Sequence, residues 1–336
     1  MAIRLDVRNL TVELPTRSGW MRPVNDVSFT LGEGETLGIV GESGSGKTML
    51  SLALMGLESP GARRSGDAWL REPASNGVGG PSATGASGDN LITSSANEMR
   101  ALRGCRIAMI FQEPMTALNP VIRVGAQIEE AIRVHEPSLG REEIRRRAGE
   151  ALDRASVPEP SRRARQYPHQ LSGGLRQRVM IAMALAPGPH VLIADEPTTA
   201  LDVTVQKQIL DLLANLRREL QLSLLFITHD LGVVAQVADR IAVMYAGRIV
   251  EEGPVSEVLH HPRHPYTQGL LRAAPRLTRE KLIPVPGTVP ALDALPKGCA
   301  FAPRCPQHVA DCDAAVPDLI AVNAANTHRA RCILAR

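Results

Sequence analysis

The octapeptide Gly41-Glu42-Ser43-Gly44-Ser45-Gly46-Lys47-Thr48 decides the fold of this chain. It fits the pattern G-x-x-x-x-G-K-[ST], and it stands in the sequence context that this pattern requires. The apolar run Thr36–Val40 before it is typical of a buried strand, and residues 47–57 have the spacing of a helix. A strand, a glycine-rich turn and a helix in this order predict a phosphate-binding loop.

Each part of the loop has a chemical role in binding a nucleotide. The glycines let backbone N–H groups turn inward around phosphate, and the start of the helix adds positive potential there. The Lys47 ammonium would neutralise charge on the β- and γ-phosphates, and the Thr48 hydroxyl would bind Mg²⁺. The residues that we expect to bind the nucleotide are Gly41, Glu42, Ser43, Gly44, Ser45, Gly46, Lys47 and Thr48.

Short apolar runs alternate with helical patterns along the rest of the chain. The predicted strands are Thr36–Val40, residues 107–111, residues 191–194 and Ser223–Thr228. Three of them are followed by the predicted helices at residues 47–57, 205–220 and 231–238. This alternation predicts an α/β fold with a largely parallel sheet.

Two segments interrupt the alternation. Residues 142–155 form an Arg-rich helical pattern, which indicates an inserted helical subdomain whose arginines face water rather than nucleic acid. Residues 73–95 are rich in Gly, Ser and Ala and have almost nothing to bury. We expect them to be a flexible surface insertion, to which we assign no function.

Two carboxylates end the third predicted strand. Asp195 suits Mg²⁺ coordination through water, and Glu196 suits polarising a water that attacks phosphate. Such a pair could also be a cap or a surface pair, but the phosphate loop upstream favours the catalytic interpretation.

With these carboxylates, the order of the motifs resembles that of the ATP-binding cassette (ABC) ATPases over nearly the whole chain. The family's signature motif is similar to Leu171-Ser172-Gly173-Gly174, with Leu175 where Gln is commoner. Gln112 matches the Q-loop, Ala200-Leu201-Asp202 matches the D-loop, and His229 matches the switch histidine. The resemblance implies a mostly parallel core sheet with helices, an antiparallel β subdomain, and a helical subdomain at about 120–175. It places this nucleotide-binding domain at residues 1–260 and a small extension at 261–336.

The resemblance also implies how these residues act. Two cassettes would form a head-to-tail dimer around two ATP molecules, so that Leu171, Ser172, Gly173 and Gly174 of one chain contact the ATP held by the other. Gln112 would touch Mg²⁺ and the attacking water, while His229 would hold the γ-phosphate and position Glu196. Asp202 would bridge the dimer. The implied catalytic residues are Glu196, His229 and Gln112, and the implied Mg²⁺ ligands are Thr48, Gln112 and Asp195.

The adenine contact departs from the family pattern. The family usually stacks adenine on an aromatic residue near the N-terminus, where counting from Asn9 places Leu14 in this chain. Aromatic residues are scarce, with two Trp, three Tyr and four Phe. Trp20 is the nearest one, and it is our candidate for the adenine contact.

Three segments narrow the resemblance to the oligopeptide/dipeptide importers. They are FQEPMTALNP at residues 111–120, SGGLRQRV at residues 172–179, and HPYTQGLL at residues 264–271. This branch implies an ATP-hydrolysing subunit that powers the import of peptides. It also contains importers of nickel, glutathione and oligosaccharides, so the cargo stays open.

The branch implies partners in the membrane. The sequence has no apolar run long enough to span a bilayer and no signal-peptide core, so we expect the chain to rely on other proteins for membrane attachment. The implied partners are two integral-membrane permease subunits, a second related ATPase in a heterodimer rather than a homodimer, and, indirectly, an extracytoplasmic solute-binding protein. The chain would lie at the cytoplasmic face of the inner membrane.

The charge balance argues against nucleic acid as a partner. The 336 residues include 38 Lys+Arg and 35 Asp+Glu, and a net charge of +3 is too small to indicate nucleic-acid binding. Two other classes stay open: a soluble ABC ATPase acting on DNA or ribosomes, and a nucleotide-sensing regulator that hydrolyses ATP slowly. No basic, aromatic-interleaved patch lies near the cysteines, which weighs against the first class.

Four of the five cysteines lie in the C-terminal extension. Cys299, Cys305, Cys312 and Cys332 have the spacing C-x5-C-x6-C-x19-C, in a loop-like sequence that packing alone would hold poorly. Four thiols in a reducing compartment favour a metal site over disulfides, although the spacing does not separate zinc from iron–sulfur, and metal-free thiols stay a third possibility. The family resemblance implies a [4Fe–4S] cluster. Cys105 is expected to be a lone thiol, and His260, His261 and His264 to be parts of a Pro-bounded loop rather than metal ligands.

Overall fold

The structure is a computed structural model that describes residues 2–17, 19–72, 88–113, 117–199, 201–273 and 285–335. The chain forms two compact units. The first unit combines residues 1–93 with residues 226–336, and the second unit comprises residues 94–225.

The strands are numbered in chain order. They are β1 (Ile3–Thr16), β2 (Gly19–Gly32), β3 (Thr36–Val40), β4 (Arg63–Arg71), β5 (Gly88–Asn90), β6 (Ile107–Ile110), β7 (Val191–Asp195), β8 (Ser223–Thr228), β9 (Arg240–Tyr245), β10 (Arg248–Pro254), β11 (Ile320–Ala321) and β12 (Arg329–Ala330).

The helices follow the same order. They are α1 (Lys47–Met55), α2 (Ala96–Leu102), α3 (Val124–His135), α4 (Arg141–Arg154), α5 (Pro160–Arg163), α6 (Gly173–Leu185), α7 (Val203–Leu220), α8 (Leu231–Val237), α9 (Val255–His260) and α10 (Pro265–Ala273). Short 3₁₀ turns are formed by Pro168–Gln170, Ala302–Arg304 and Ala310–Asp313.

An antiparallel sheet forms one part of the first unit, in the order β2-β1-β4-β5. Strands β1 and β2 pair along most of their length, with Leu10 opposite Val27 and Val12 opposite Val24. All four of these side chains are fully buried. These four apolar side chains therefore belong to the core of the first unit.

The first unit also contains strands of a second sheet, and the phosphate loop follows one of them, β3. These strands follow the order β11-β12-β10-β9-β3, and β3 runs parallel to β9, with Ile39 opposite Ala242. Every residue of β3 is buried, as expected for a parallel strand covered on both faces. The chain turns into the phosphate loop directly after Val40. C-terminal residues extend this sheet, because β12 pairs with β10.

The second unit contains a parallel strand pair and a helical core. Strand β6 runs parallel to β7, with Ile110 opposite Ala194. Helices α3, α4 and α6 pack around a cluster of fully buried residues that includes Ile128 and Leu152. The Arg146 side chain of α4 faces solvent and pairs with carboxylates of its own helix, as expected for a residue on a solvated helix face.

The predicted elements agree with the structure except at their ends. All four predicted strands are present, and β3 and β8 have the predicted bounds. Helix α1 ends at Met55 rather than at residue 57, because Gly56 takes a left-handed conformation (φ 59°) and caps it. Helix α7 begins at Val203 rather than at residue 205, because the Asp202 side chain accepts a hydrogen bond from the Val205 N–H and caps it.

The insertion expected at residues 73–95 falls partly outside the described residues, which exclude 73–87. Its last part is regular: Gly88–Asn90 forms β5, and Ser95 caps α2 in a reciprocal arrangement with Glu98. Among the helices described, none is long and apolar enough to cross a membrane.

Candidate nucleotide-binding site and cysteine module

The phosphate loop lies between β3 and α1, where the sequence predicts it. Gly46 immediately precedes α1 with φ 100°, and a Cβ atom there would lie 1.9 Å from the backbone oxygen of Pro23 in β2. Only glycine fits this position, since both the backbone angle and the approach of β2 exclude a side chain. Strand β2 therefore supports the loop from outside.

Lys47 is buried at the first position of α1, with its ammonium inside the loop. Its Nζ donates hydrogen bonds to the carbonyl oxygens of Gly41, at 2.8 Å, and Glu42, at 3.0 Å. Thr48 is exposed in the first turn of the same helix. A cationic side chain at a helix N-terminus suits phosphate, so this geometry favours the prediction that the loop binds an anion.

Glu42 has a role that the sequence did not indicate. Its carboxylate accepts hydrogen bonds from both terminal nitrogens of Arg304, at 2.7 and 3.0 Å. Its backbone N–H donates to the Tyr266 hydroxyl at 2.9 Å. Sequence reasoning missed Arg304 and Tyr266, which lie more than 220 positions away in the chain.

Asp195 and Glu196 lie at the carboxyl end of β7 in the second unit. Asp195 is buried, and Glu196 is half-buried with a left-handed backbone (φ 47°). The Glu196 Oε2 accepts hydrogen bonds from the Gln112 amide at 3.2 Å and from the Thr199 hydroxyl at 2.8 Å. The structure thus brings together Glu196 and Gln112, two of the implied catalytic residues, and adds Thr199, which the sequence reasoning did not select.

The signature segment forms the N-terminal end of α6. Helix α6 starts at Gly173, and the Ser172 hydroxyl caps it by accepting a hydrogen bond from the Leu175 N–H. Leu171 is buried, and Gly174 lies so near α7 that a Cβ would be 2.7 Å from a Val205 methyl group. A serine cap and a glycine pair at the start of a 13-residue helix leave a positive helix end available to an anion.

Asp202 and His229 each adjoin the start of a helix. Asp202 caps α7, its Oδ1 lying 2.9 Å from the Val205 nitrogen, while Ala200 of the D-loop motif lies outside the described residues. His229 is exposed directly after β8. Asp230, its neighbour, caps α8 through the N–H groups of Gly232 and Val233.

Trp20 lies near the start of β2 in the first unit, and its side chain is 40% exposed. The Arg63 guanidinium lies 3.8 Å from the centre of its ring, in a cation–π contact. Trp20 is three residues before Pro23, the residue that contacts the phosphate loop at Gly46.

The four C-terminal cysteines line one cavity. It measures about 10 Å³, and Cys299, Cys305, Cys312 and Cys332 share it with apolar neighbours such as Phe301. None of the four forms a disulfide, and the Cys299 N–H donates to the Cys312 carbonyl at 2.8 Å. Burial raises the pKa of the Cys299, Cys305 and Cys332 thiols, and the neighbouring cysteines raise it further. Within the described ranges, no group of three or more His, Cys, Asp or Glu has the geometry to hold a metal ion.

Among the other cysteine and histidine residues singled out by the sequence, Cys105 and His264 have local partners, whereas His260 is the last residue of α9 and does not lie in the predicted loop. Cys105, in the second unit, donates its thiol to the Ala101 carbonyl at 2.8 Å. His264 is buried, its backbone N–H donates to Glu251 at 2.9 Å, and its ring Nδ1 accepts from the Tyr266 backbone N–H at 3.1 Å. Burial lowers the pKa of His264 to about 4, so its ring is neutral at pH 7.

Sequence comparison finds two families along the chain. Residues 24–199 match the family described as ABC transporter, and residues 250–312 match the family described as oligopeptide/dipeptide transporter, C-terminal region. A protein of Brucella melitensis biotype 1 named as a peptide import ATP-binding protein is 51% identical over 341 residues, covering 98% of this chain and 96% of the relative. A protein of the same description from Brucella abortus (strain 2308) is 49% identical over 310 residues, covering 92% and 89%.

Two solved structures show the same architecture. A dimeric ATP-binding cassette in a post-hydrolysis state, bound to ADP and Pi, aligns with a TM-score of 0.63 at 28% identity and covers 75% of this chain and 98% of its own. A part of an ABC transporter complex from Clostridium perfringens aligns with a TM-score of 0.61 at 27% identity and covers 78% and 92%.

Proposed function

This chain belongs to the ATP-binding subunits of ABC transporters, and on that premise we propose that it hydrolyses ATP to power the import of peptides. The phosphate loop carries the ATPase part of the proposal, with the Lys47 ammonium held inside it at the start of α1. The peptide part is supported by the C-terminal match to oligopeptide/dipeptide transporters and by the relatives named for peptide import.

We assign a role to each residue of the ATP-binding machinery. Lys47 and the loop amides bind the β- and γ-phosphates, and Trp20 stacks on adenine. Thr48, Gln112 and Asp195 hold the Mg²⁺ that accompanies ATP. Bound magnesium neutralises charge that develops on the phosphates.

Hydrolysis requires a group that polarises the attacking water. Glu196 has this role in our proposal, because its Oε2 is oriented by the amide of Gln112 and the hydroxyl of Thr199. His229 holds the γ-phosphate and positions the carboxylate. A fixed carboxylate accepts a proton from water without first having to reorganise.

We propose that the chain works in a head-to-tail dimer with a second, related ATPase. Leu171, Ser172, Gly173 and Gly174 then contact the ATP that the partner holds, and Asp202 bridges the two chains. The positive end of α6 at Ser172 suits a γ-phosphate, and one structural relative is itself a dimer. The dimer binds two permease subunits at the cytoplasmic face of the inner membrane, and a solute-binding protein delivers the peptide from outside.

The cysteine module has the donor set of an iron–sulfur cluster, although its described residues are not arranged to hold a metal ion as they stand. Four reduced cysteines surround one cavity, and thiolate sulfur is the ligand of [4Fe–4S] centres. We propose that Cys299, Cys305, Cys312 and Cys332 hold such a cluster, with zinc as the alternative occupant. The 10 Å³ cavity leaves room for about one water, so the cysteine side chains would have to rearrange for a cluster to bind. A cluster held by these four cysteines would stabilise the C-terminal residues.

Affinity purification from membranes solubilised in detergent tests the transport proposal. We expect the tagged chain to co-purify with two multi-span proteins, and we expect the complex in vesicles to take up di- or oligopeptides when ATP is inside with the chain. The Glu196→Gln variant is the control, because it should assemble and not transport. Co-purification with DNA or ribosomes, or uptake of nickel, glutathione or oligosaccharide in place of peptide, would contradict it.

Anaerobic purification tests the occupant of the cysteine module. A brown protein with about four irons per chain is expected for a [4Fe–4S] cluster, and Cys305→Ser should lose the colour. A colourless chain with one zinc would show the alternative to be correct.

A further inference from the structure

We propose that Arg304 is a positioning residue for the phosphate loop, so that the C-terminal extension sets the affinity of the loop for nucleotide. This inference rests on the proposed function, because it requires the loop to bind ATP. Arg304 acts through Glu42, the second residue of the loop, and does not touch the nucleotide itself.

The contact between Arg304 and Glu42 is a two-point ion pair. The guanidinium donates from Nη1 to Oε2 at 2.7 Å and from Nη2 to Oε1 at 3.0 Å. The Arg304 side chain is only 5% exposed. Two parallel charge-assisted hydrogen bonds fix orientation as well as distance, and burial protects them from screening by salt.

The orientation of Arg304 is set by the C-terminal extension and by the sheet. Its Nε donates to the Pro286 carbonyl at 2.8 Å, and its Nη1 also donates to the Tyr245 hydroxyl at 3.3 Å. Arg304 ends the 3₁₀ turn Ala302–Arg304, next to Cys305. The guanidinium is therefore held in place whether or not the loop moves.

A second contact holds the backbone of Glu42. The Tyr266 hydroxyl accepts the Glu42 N–H at 2.9 Å, and the fully buried Tyr266 ring packs against Tyr245 and Phe301, at centroid distances of 4.5 and 5.4 Å. The side chain and the amide of Glu42 are thus both held by residues that follow position 260. A residue fixed at both groups has little freedom to rotate its carbonyl.

That carbonyl carries the effect to the phosphate site. The Glu42 oxygen accepts a hydrogen bond from Lys47 Nζ at 3.0 Å, so Arg304, Glu42 and Lys47 form one chain of contacts. A loop that already has its bound shape loses less conformational entropy when phosphate enters. Loss of Arg304 should therefore raise the Kd and the KM for ATP, while kcat at saturating ATP stays close to that of the wild type, because the hydrolytic groups are untouched.

A double-mutant cycle in the full-length chain tests the inference. Four proteins are compared: the wild type, Arg304→Met, Glu42→Gln and the double variant. Calorimetry measures their Mg-ATP binding, and steady-state assays measure their ATPase kinetics. We expect each single variant to weaken ATP binding by about tenfold, and the double variant to weaken it no further, because both remove the same contact. Arg304→Lys, which keeps the charge without the fork, should recover part of the affinity.

The matched control is Arg329→Met. Arg329 ties the C-terminal extension to the same sheet through Glu252, with Nε 2.6 Å from the carboxylate, and lies away from the contacts of Glu42. We expect wild-type ATP affinity for this variant. If Arg304→Met does not fold, Glu42→Gln still tests the inference, because it removes the negative partner of the same ion pair.

Three results would overturn the inference: wild-type affinity in Arg304→Met and Glu42→Gln, additive losses in the double variant, or an equal loss in Arg329→Met. The wild-type measurement separates this failure from failure of the proposed function. If the wild type binds no Mg-ATP, the proposed ATPase function is wrong and the inference falls with it. If the wild type binds and the variants bind equally well, only the role of Arg304 is wrong.

Discussion

Glu196 combines two uncommon features for a single residue. Its backbone is left-handed, a conformation that residues other than Gly, Asn and Asp rarely adopt. One of its carboxylate oxygens accepts two hydrogen bonds. Backbone strain of this kind persists where the surrounding structure holds it, and it concentrates at functional sites. The turn after β7 therefore directs the carboxylate rather than simply ending the strand.

We expect Glu196→Gln to bind Mg-ATP like the wild type and to lose at least about a hundredfold in the rate of hydrolysis, because the amide cannot accept a proton from water. Phosphate release at saturating ATP measures the rate. Thr199→Val removes one hydrogen bond to the same carboxylate, and its loss should be smaller, about tenfold at most. Hydrolysis at the wild-type rate in Glu196→Gln would disprove the assignment.

Trp20 can be tested by its own fluorescence. Trp69 is the second tryptophan, so Trp69→Phe leaves Trp20 as the only source of indole emission. Mg-ATP should change that emission, and Trp20→Ala should weaken ATP affinity by about tenfold, the usual loss of one base–aromatic stack. An unchanged spectrum with unchanged affinity in Trp20→Ala would mean that adenine is bound elsewhere.

At the scale of elements, the sequence predicts interiors better than ends. The apolar runs of β3 and β8 specify buried strands because every residue in them is apolar or small. One end of each of α1, α6 and α7 is fixed by a single capping residue, namely Gly56, Ser172 and Asp202. Such a cap shifts the end of a helix by one or two residues, which the spacing of apolar residues does not predict. The family motifs, rather than periodicity, point to Ser172 and Asp202.

The start of α6 offers a test at this scale. Ser172→Ala removes the cap of α6, which costs about 1 kcal/mol of stability, and removes the hydroxyl that we assign to the partner's ATP. We expect normal ATP binding to the chain's own loop but reduced hydrolysis in the dimer. Ser172→Thr keeps a hydroxyl and is the control. Equal hydrolysis by Ser172→Ala and the wild type would contradict the contact in the dimer.

At the scale of the whole molecule, buried polar groups make stability depend on pH. His264 has a native pKa of about 4 against an ordinary value of 6.5, because burial and the charge of Arg331 outweigh the attraction of Glu251. Between these two values the unfolded chain binds a proton at His264 that the native chain does not bind. The free energy of unfolding therefore falls as the pH is lowered through this window.

The expected loss from His264 alone approaches roughly 3 kcal/mol between pH 6.5 and pH 4. Denaturant unfolding at a series of pH values measures it. His264→Gln removes the titration, so its stability should change less steeply with pH in this range, even if the variant is less stable throughout. Identical slopes for the two proteins would show that other groups cause the acid sensitivity.

Long-range pairing is the part of this molecule that sequence reasoning could not reach. The motifs predicted the phosphate loop and the glutamate after β7, since each is encoded in consecutive residues with a required context. Arg304 and Glu42 are 262 positions apart, and nothing near either residue signals the other. The same holds for Tyr266, which sequence reasoning left as part of a family segment.

The ion pair between Arg304 and Glu42 also means that bound nucleotide affects the C-terminal extension. Thermodynamic coupling is reciprocal. If the folded extension increases the affinity of the loop for ATP, bound ATP must stabilise the folded extension by the same free energy. Cys305 follows Arg304 directly in the chain. Proteases and thiol-alkylating reagents should therefore attack the C-terminal extension more slowly when ATP is bound. The stability of the extension would then depend on the ATP concentration in the cell.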